Sequence, residues 1–596
     1  TEYYNAGFVP DLYAMTKDFS GNERVYDGFI DMGAYEWQEL APCTITTVWD
    51  GASWSNGVPE SIEYAAIFEG DYESDGSITA CSVTVNSGTV TILSGHTLRV
   101  KGAVTVDDAA TLIIEDNAAL LQVNNVSNNG KVIVNKKSNQ LYRLDYTMWT
   151  SPVASQNLFT FSPSTVSNRY YEYKYDFNGS EWLEAFWGVN PLSTSFATGK
   201  AYLIRMPNDV PTLNGYAEGE AATEFNGVFE GKPNNGNINV NLSVTGNKYT
   251  AVGNPYPSPI SVYEFFAANS GAMDISSGIY FWRKRNNTAA SSYATLTMAA
   301  YVSNPALGGG AGQSQFFTGS SNSWVIAPGQ GFLVKTKSGV SAPVLKFTNK
   351  MRRNSQGASQ AFFRQRDQDE EPQAVSRYWL NIAGTEGGAS QMAVAYMAEA
   401  TTGFDYGYDA KNLSDGSYVA LYSLQGETAL AIQARPDFVN TDMVQVGFNA
   451  DVAGSYTINL DRSEGVFTEG QHIYLKDKET GIVTDLTSAE HIFTSEAGVF
   501  NNRFEVYYST QALAIHTPSV TAPEVVVYKN GASIVADAGS DIIKAIEVYD
   551  VRGRRIFATS GINATSYSID KLLAEHEMLI VNITTDAGKS AKKIIF

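Results

Sequence analysis

The sequence predicts an all-β protein made of several domains in a row. The chain has 596 residues, and about 150 residues per domain gives a prior of roughly four domains. Charged residues make up 17% of the chain, whereas aromatic residues reach 12%, and there are 34 Tyr and 51 Gly. This composition favours strands and turns over long amphipathic helices. Strand signals separated by turn residues recur along the chain, so we expect a multidomain β array.

Net charge and hydropathy argue against two classes of partner. The chain has 41 Lys and Arg against 62 Asp and Glu, a formal net charge of −21, and it has no polybasic tract. Attraction to nucleic acid or to an anionic lipid surface is therefore not expected. No apolar stretch approaches the ~20 residues that a membrane-spanning helix needs. We expect a protein that binds no nucleic acid, does not span a membrane, and is soluble or peripherally held.

The two cysteines, Cys43 and Cys81, leave two alternatives open. They are too few for a disulfide framework, and no CxxC motif is present. One alternative is a single bridge and the other is two unpaired thiols, because sequence alone does not place their Cα atoms. No basic segment followed by an apolar one is found near Thr1, so any export signal is expected to be removed or to lie outside this sequence.

Residues 1–40 have no strand periodicity of their own. Their motifs are Asn5-Ala6-Gly7, Gly21-Asn22-Glu23-Arg24 and Asp31-Met32-Gly33-Ala34-Tyr35-Glu36. This run resembles the closing coil of right-handed β-helix proteins on the surface of Bacteroidota. The resemblance implies that residues 1–40 are the end of a truncated β-helix.

Residues 41–138 carry short apolar couplets, such as Val83/Val85 and Leu112/Ile114. The couplets recur every six to eleven residues with turn residues between them. The spacing predicts a short β-solenoid whose rungs bury one another's inward side chains, and a β-sandwich of short strands is the alternative. The segment Trp49–Pro59 resembles the start of such solenoids in secreted bacterial proteins, which implies that its tryptophans cap the first rung.

Residues 139–352 are the most aromatic part of the chain, and we predict one large, jelly-roll-like β-sandwich. Three landmarks resemble a module that precedes the sorting domain in large surface proteins of Bacteroidota: Gly253–Pro259, Gly329–Phe332 and Phe347–Arg352. Read from its residues alone, the first landmark is a rigid turn set by proline that leads into a short helix.

Trp182 and Trp187 are the candidate pair for a sugar-stacking platform. Carbohydrate-binding sandwiches bind sugars through flat aromatic faces, and these two residues stand close together in the sequence. The alternative is that they serve as core or cross-strand pairs, as most aromatic residues of β proteins do.

A linker over residues 353–375 is predicted from alternating charge and low apolar content, and a second β-sandwich is predicted for residues 376–516. Within that sandwich, Asp405, Asp409 and Asp415 are the candidate ligands for a calcium ion, since Ca²⁺ binds several oxygens from a turning loop. The EF-hand spacing is absent, so a plain solvated acidic loop is the alternative.

Residues 517–596 are predicted to form a compact immunoglobulin-like β unit with Arg552-Gly553 in a hairpin turn. Three segments, Val548–Ile556, Tyr567–Asp570 and Ile580–Ile595, resemble the type A C-terminal sorting domain of type IX secretion substrates. The residues that match are Tyr549, Gly553, Val581, Gly588, Lys592 and Lys593.

This resemblance implies export through the outer membrane. The partners that it implies are the type IX translocon and its outer-membrane shuttle protein, with attachment of the cargo to surface lipopolysaccharide. The sequence departs from the family at Glu577-Met578-Leu579, where a Gly-x-Tyr usually begins the penultimate strand.

No pattern in the sequence points to catalysis. The GxSxG elbow is absent, and the five histidines never occur at the i, i+4 spacing of two ligands on one helix face. The Gly308–Gly312 run lacks the lysine and the strand-turn-helix context of a phosphate loop. Acid pairs are plentiful, but none is preferred as a glycosidase pair. We assign no catalytic residue.

We therefore expect a non-enzymatic, adhesin-like protein at the cell surface of a Bacteroidota bacterium, exported by type IX secretion, with glycans or lipopolysaccharide as surface partners. No cofactor is expected apart from the candidate Ca²⁺. Two alternatives stay open. The chain could be the accessory region of a β-helix polysaccharide-degrading enzyme whose catalytic part lies upstream, or a structural subunit of a surface fibre or layer.

Overall fold

The computed structural model describes most of the chain after residue 42. The described residues are 43–141, 144–207, 224–282, 293–303, 317, 321–355, 375–385, 388–413, 417–509, 525–530, 533–539, 541–570, 572, 578–586 and 588–596. The predicted β-helix end at 1–40 and most of the predicted linker lie outside them. The all-β fold class is confirmed, and the chain divides into two compact units on either side of the Tyr508–Ser509 bond.

The first region of the larger unit is the predicted short β-solenoid. Its strands form parallel ladders in register, such as Val83 opposite Val104 and Val90 opposite Leu112. Inward positions are buried at every second residue, which is why the couplets alternate in sequence. The strands are β1 (Ile45–Trp49), β2 (Tyr64–Phe68), β3 (Tyr72–Glu73), β4 (Ile78–Ala80), β5 (Ser82–Val85), β6 (Thr89–Ile92), β7 (Thr97–Val100), β8 (Val104–Val106), β9 (Thr111–Ile114), β10 (Ala119–Gln122) and β11 (Val132–Lys137).

The start of the solenoid is closed by aromatic rings and a disulfide. Trp49 packs on Tyr72 and Trp54 on Phe68, each pair with ring centroids 5.0 Å apart. Cys43 and Cys81 are bonded to each other, with their Cα atoms 5.6 Å apart. Disulfides persist in oxidising compartments, so this bond is consistent with an extracytoplasmic protein.

An aromatic region follows and shares one continuous hydrophobic core with the solenoid. The two are also joined by strand pairing, because β16 adds antiparallel to β11. The elements are β12 (Tyr146–Trp149), α1 (Leu158–Phe161), β13 (Tyr170–Phe177), β14 (Trp182–Gly188), β15 (Tyr202–Arg205), β16 (Asn226–Gly231), β17 (Ile238–Asn241), β18 (Tyr249–Gly253), β19 (Ile260–Ser261), α2 (Val262–Asn269), β20 (Ile279–Trp282), β21 (Tyr293–Leu296), β22 (Tyr301–Val302), a 3₁₀ turn (Ser321–Ser323), β23 (Val325–Ile326), β24 (Gly331–Lys335), β25 (Val344–Phe347) and a second 3₁₀ turn (Asn349–Met351).

Two of the three sequence landmarks of this region, Gly253–Pro259 and Phe347–Arg352, meet at the buried Arg352. The Arg352 guanidinium donates to Ser258 Oγ and Asn235 Oδ1, each at 2.9 Å, and to the Leu120 carbonyl of the solenoid. It also lies 4.8 Å from the centre of the Tyr256 ring. A buried guanidinium needs several acceptors, so these segments serve as a structural joint.

The predicted second sandwich is one curled sheet that nearly closes into a barrel. Its strand order is β34-β33-β36-β31-β29-β30-β27-β26-β32-β35, with β28 also paired to β30. Irregular register where β26 meets β32 bends the long strands, as bulges do. The elements are β26 (Ser376–Gly384), β27 (Ala389–Tyr396), β28 (Ala410–Lys411), β29 (Val419–Gln425), β30 (Thr428–Arg435), β31 (Met443–Ala450), β32 (Gly454–Glu464), a 3₁₀ turn (Gly465–Phe467), β33 (Tyr474–Asp477), β34 (Val483–Asp485), β35 (His491–Ser495) and β36 (Gly498–Tyr507).

Polar side chains connect the two ends of this barrel-like sheet. Thr484 on β34 and His491 on β35 are hydrogen-bonded through Oγ1 and Nδ1 at 2.9 Å. Arg503 binds buried Asp477 with two nitrogens and donates to the Thr494 carbonyl on β35. The seam therefore depends on side chains where the backbone ladder stops.

The smaller unit has two antiparallel sheets over one core, in the orders β37-β38-β41 and β40-β39-β42-β43. Arg552 and Gly553 lie in the turn between β39 and β40, where Gly553 has φ +79°, as a left-handed turn position requires. The strands are β37 (Val526–Asn530), β38 (Ser533–Asp537), β39 (Ile543–Asp550), β40 (Arg555–Ala564), β41 (Ser566–Asp570), β42 (Met578–Thr585) and β43 (Gly588–Ile595).

Candidate functional site

The β13–β14 hairpin carries Trp182 and Trp187, the two tryptophans that the sequence suggested as a sugar-stacking pair. Its strands pair from Tyr171 opposite Gly188 to Phe177 opposite Trp182, and β14 is the outer strand of its sheet. The turn is tight, because Asn178 Oδ1 accepts the amides of Ser180 and Glu181 at 2.8 and 2.9 Å. Gly179 supplies the positive φ of +99° that such a turn needs.

One face of the hairpin is a row of aromatic rings that passes from the core to solvent. At the inner end, Tyr173 packs on Phe186 with centroids 5.0 Å apart. At the outer end, Trp182 stacks on Tyr175 at 5.4 Å with 21° between the planes, and Phe177 lies 5.8 Å from the same indole. Trp182 is 59% exposed and Phe177 47% exposed. We call Tyr175, Phe177 and Trp182 the aromatic tip.

Trp187 lies on the opposite face, so the structure does not bring the two candidate tryptophans together. Its indole Nε1 donates to the Lys174 carbonyl at 3.1 Å, and the Lys174 ammonium lies 6.0 Å from the ring centre. That ammonium is also bound by Glu172 and Asp176 at 3.0 and 2.9 Å. A charged ladder therefore covers the side of the hairpin on which Trp187 lies.

The spacing of Trp182 and Trp187 in the sequence already indicates that they lie on opposite faces. Side chains five positions apart in one strand point to opposite faces, because the strand repeat is two residues. Trp182 and Trp187 are five apart and cannot share a platform on β14. The partners that sequence reasoning missed, Tyr175 and Phe177, lie on β13, and only the hairpin register places them beside Trp182.

A neighbouring loop borders the aromatic tip with polar groups. Glu184 on the same face accepts the amides of Asn247 and Tyr249, both at 2.7 Å. Burial raises the pKa of the Glu184 carboxyl, although these two amides favour its charged form. Gly246 lies so close to Tyr175 that a Cβ would come within 2.6 Å of the ring. The loop is thereby held against the tip, with Asn247 exposed beside it.

This arrangement is suited to binding a sugar. A flat exposed indole offers an apolar face to the C–H groups of a pyranose ring, while its polar edge and the exposed Asn247 beside it can form hydrogen bonds to hydroxyl groups. Tyr175 supports the indole from behind in a stacked geometry. We therefore treat the aromatic tip as a candidate binding surface.

The candidate calcium ligands lie in a loop that fastens the barrel-like sheet to the aromatic region. Asp405 accepts the amide and hydroxyl of Thr401. Fully buried Asp409 accepts the amides of Asp405 and Ala434, both at 2.7 Å. Burial raises the pKa of Asp409 to about 7.

Asp415, the third candidate, lies outside the described residues. The carboxylates of Asp405 and Asp409 are directed at protein N–H and O–H groups, which gives them a role in shaping the loop. The Gly407 carbonyl of that loop accepts the Met298 amide at 2.7 Å. Within the part of the chain that the structure describes, no group of three His, Cys, Asp or Glu side chains is placed to hold a metal ion. The calcium site therefore stays a prediction.

A cavity of about 470 Å³ lies between the aromatic region and the barrel-like sheet. Its cationic groups already have protein partners: Arg377 binds Glu464 at 2.6 Å, and Arg353 donates to the carbonyls of Lys350 and Arg352. These two arginines are therefore less available to bind a ligand in the cavity than their presence in its wall suggests.

The sorting-motif residues of the smaller unit divide into core and surface. Val581 is fully buried between the sheets, Tyr549 donates to Glu547 at 3.1 Å, and Gly588 starts β43 with φ +143°. Lys592 and Lys593 are exposed on β43, an outer strand of its sheet.

Family comparison covers nearly all of the described chain. Residues 43–508 match a family described as Domain of unknown function (DUF8693). The chain belongs to this family. Residues 513–596 match a second family, described as Domain of unknown function (DUF8694). The boundary between the two matches falls where the two compact units meet in the sequence.

More distant comparisons carry no argument about fold or function. Curated proteins give no match. Among solved structures, the chain is similar to Tp47, the 47-kilodalton lipoprotein of Treponema pallidum, at 8% identity over 37% of this chain and 87% of that chain, with a TM-score of 0.12. It is similar to the BSP domain of a biofilm-associated protein at 11% identity over 78% of this chain and 90% of that chain, with a TM-score of 0.11. Both scores are too low to build on.

The DUF8693 match contains the aromatic tip, and the DUF8694 match contains the sorting-motif residues. The described part of the chain has no helix long and apolar enough to cross a membrane. The functional hypothesis therefore depends on the geometry of the sites themselves.

Proposed function

We propose that this protein is a non-enzymatic, adhesin-like protein of the cell surface that binds glycans through the aromatic tip. The observation that carries the proposal is the exposed indole of Trp182, stacked on Tyr175 and flanked by Phe177. Removing the apolar surface of an indole ring from water is favourable, so an exposed indole has a higher free energy than a covered one. A ligand that covers the ring gains this favourable free energy on binding. The polar groups that border the aromatic tip favour a sugar over an apolar chain.

An extracytoplasmic location supports this proposal. The Cys43–Cys81 disulfide forms where thiols are oxidised, and glycans are abundant on cell surfaces. The excess of acidic residues keeps such a protein soluble and disfavours non-specific binding to anionic surfaces.

The test of glycan binding uses a built-in control. Trp182→Ala removes the exposed indole, and Trp187→Ala removes the same side chain from the opposite face of the hairpin. On a glycan array with the full chain, we expect Trp182→Ala to weaken binding roughly tenfold, which corresponds to about 1.4 kcal/mol of lost ring contact. Trp187→Ala is expected to bind as the unaltered protein does. Equal loss in both variants, or no glycan bound by the unaltered chain, would refute the proposal.

For export, we propose the type IX route, with the smaller unit as the sorting domain and the translocon and its shuttle protein as partners. The motifs around Tyr549 and Gly553 and the two-sheet sandwich support the proposal. The exposed Lys592 and Lys593 on the outer strand β43 are the groups that a partner can reach.

Surface labelling of intact cells tests this route. Lys592→Ala combined with Lys593→Ala is expected to reduce the amount of labelled protein severalfold and to leave it in the periplasm. Lys544→Ala, which removes another partly exposed lysine of the same unit, is the control and should not change the labelling. Undiminished labelling in a chain that lacks residues 509–596 would contradict the sorting role.

A further inference from the structure

A buried lysine in the last rung of the solenoid faces an asparagine and an aspartate in one turn. Along β11, the inward positions Val132, Val134 and Lys136 are buried, so the Lys136 side chain continues the inward row of the solenoid. β11 runs parallel to β9 in register, which places the turn after β9 above this lysine. The side chain of Lys136 is 2% exposed.

The three side chains form a closed hydrogen-bonded triangle. The Lys136 ammonium donates to Asp116 Oδ1 at 2.7 Å and to Asn117 Oδ1 at 3.3 Å. The Asn117 amide nitrogen donates to Asp116 Oδ2 at 2.9 Å. The triangle thus holds an amine within hydrogen-bonding distance of the carbonyl of a primary amide. The acid, Asp116, contacts both the lysine Nζ and the asparagine Nδ2.

The local backbone fixes the amide in this position. Asn117 has φ +64° in the turn between β9 and β10, a conformation that asparagine tolerates better than most residues. The Asn117 carbonyl accepts the Gly95 amide at 3.0 Å. Asp116 Oδ1 also accepts the Lys137 amide at 3.2 Å, so the acid and the amide are both anchored to neighbouring rungs.

Burial changes the chemistry that is open to the lysine. Desolvation lowers the pKa of Lys136, while the nearby carboxylates of Asp116 and Glu224 oppose that shift. In a water-poor site, transfer of a proton from the ammonium to Asp116 yields a neutral pair and removes the cost of burying two charges. The neutral amine is the form that attacks a carbonyl carbon.

We propose that Lys136 and Asn117 join in an intramolecular isopeptide bond, with Asp116 as the acid that transfers protons. Nothing outside the chain is needed for this reaction, since an amine and a primary amide exchange to give a secondary amide and ammonia. The bond ties β11 to the turn between β9 and β10 and closes a covalent ring at the end of the solenoid.

The atoms and electrons balance as follows. The neutral Nζ of Lys136 attacks Cγ of Asn117 with its lone pair and forms the new C–N bond. Protonated Asp116 gives its proton to Nδ2, the Cγ–Nδ2 bond breaks, and ammonia leaves. Asp116 then takes the surplus proton from Nζ and passes it to water or to the ammonia. No atom is oxidised or reduced.

The Asn117 carboxamide is the better electrophile of the two groups near the lysine. Asp116 serves as the acid that protonates the leaving group, and the carboxamide nitrogen of Asn117 already contacts that acid. A simple buried ion pair between Lys136 and Asp116 is the competing interpretation. It predicts no change in covalent mass.

Intact-mass measurement of the full chain, denatured and with the disulfide reduced, distinguishes the two interpretations. We expect the unaltered protein to be lighter than its sequence by one ammonia molecule. After trypsin digestion, the segments Gly102–Lys131 and Val132–Lys137 should appear as one joined species that is not cleaved after Lys136.

Variants test the amine and the acid. Lys136→Arg and Asp116→Asn are each expected to have the full sequence mass. Asp116→Asn retains the shape of the side chain, so it separates loss of proton transfer from loss of folding. Lys131→Arg alters an exposed lysine paired with Glu230 and should retain the ammonia deficit.

The unaltered chain alone can overturn the proposal. A full sequence mass after prolonged incubation, with complete cleavage after Lys136, would leave only the ion pair. Loss of one water molecule in place of ammonia would make Asp116 the linked residue and would also refute the assignment to Asn117. An ammonia deficit that persists in Lys136→Arg would show that it arises elsewhere in the chain.

Discussion

Two aromatic clusters of this protein have similar composition but opposite surroundings. Inside the barrel-like sheet, Tyr378, Tyr396 and Tyr508 are buried. The Tyr508 hydroxyl lies 2.8 Å from the Tyr378 hydroxyl and 2.7 Å from the Tyr396 hydroxyl. At the aromatic tip, Tyr175 and Phe177 lie 5.4 and 5.8 Å from the Trp182 ring, but Phe177 and Trp182 are exposed to solvent. The first cluster is enclosed by a curled sheet, whereas the second lies on a hairpin at the edge of its sheet, where Phe177 and Trp182 are exposed.

The comparison shows that close contact between aromatic rings does not by itself distinguish a core cluster from an exposed one. The buried tyrosines end in a polar network, because Tyr396 donates to Asp442 at 2.8 Å and Asp442 binds Arg435 with both oxygens at 2.6 Å. Burial raises the pKa of each of the three tyrosines well above its ordinary value. Among the described residues, no comparable hydrogen-bond network surrounds the Trp182 indole, which is 59% exposed.

The largest expected difference between the clusters is in stability. Tyr396→Ala should lower the free energy of unfolding by about 3–5 kcal/mol, because it leaves a cavity and removes a partner of Asp442. Urea unfolding followed by intrinsic fluorescence measures this loss. The matched change Tyr175→Ala at the tip should cost about 1 kcal/mol or less. Similar losses in both variants would remove the distinction between the clusters.

A buried carboxylate extends the comparison to pH. The pKa of Asp409 is raised to about 7 by burial, above its unfolded value of 3.8. The stability that this group contributes is therefore fully present below the unfolded pKa and is lost as the pH rises through about 7. We expect a decrease on the order of 2 kcal/mol between about pH 5 and pH 8.

Asp409→Asn isolates this effect, because an asparagine does not titrate. The difference in unfolding free energy between the variant and the unaltered chain should change with pH over the same window. Asp405→Asn on the same loop is the control, as Asp405 is only partly buried. A difference that stays constant from acidic to alkaline pH would show that Asp409 keeps an ordinary pKa.

A smaller effect tests the hydroxyl network of the buried cluster. Tyr396→Phe retains the ring but removes the hydrogen bond to Asp442, and Arg435 still neutralises that carboxylate. We expect a loss of about 1 kcal/mol in the free energy of unfolding. No loss would mean that the rings, and not the hydroxyls, hold the cluster together.

The smallest expected effect is the loss of stability in Trp182→Ala. Its side chain is mostly exposed, so the free energy of unfolding should fall by about 0.5 kcal/mol. Thermal unfolding compares this variant with Trp187→Ala. A loss of several kcal/mol would identify Trp182 as a structural residue and weaken its assignment to ligand binding.

Local patterns predicted the solenoid well because its contacts are periodic. Val83 and Val85 alternate within one strand, and Val104 repeats the pattern one rung later, so each rung predicts its neighbour. The turn at Arg552-Gly553 was predictable for a similar reason, because glycine there supplies a positive φ. Both features are local to a few residues or to one repeat.

The pairing of strands that are far apart in the sequence was harder to predict. The strands of residues 376–507 read as a sandwich, but whether they form two sheets or one curled sheet depends on which strands become neighbours, and β27 pairs with both β26 and β30. The seam formed by Thr484 and His491 follows from that closure. No periodic signal along the chain encodes it.

By itself, the sequence determined the all-β class, the solenoid repeat and the turn at Arg552-Gly553, because strand alternation and turn chemistry are properties of neighbouring residues. Only the tertiary structure decided that Trp182 joins Tyr175 and Phe177, that Cys43 reaches Cys81, and that Lys136 meets Asp116 and Asn117. These groups come from different strands and turns. The register between strands, which arises from packing of the whole sheet, sets which side chains meet.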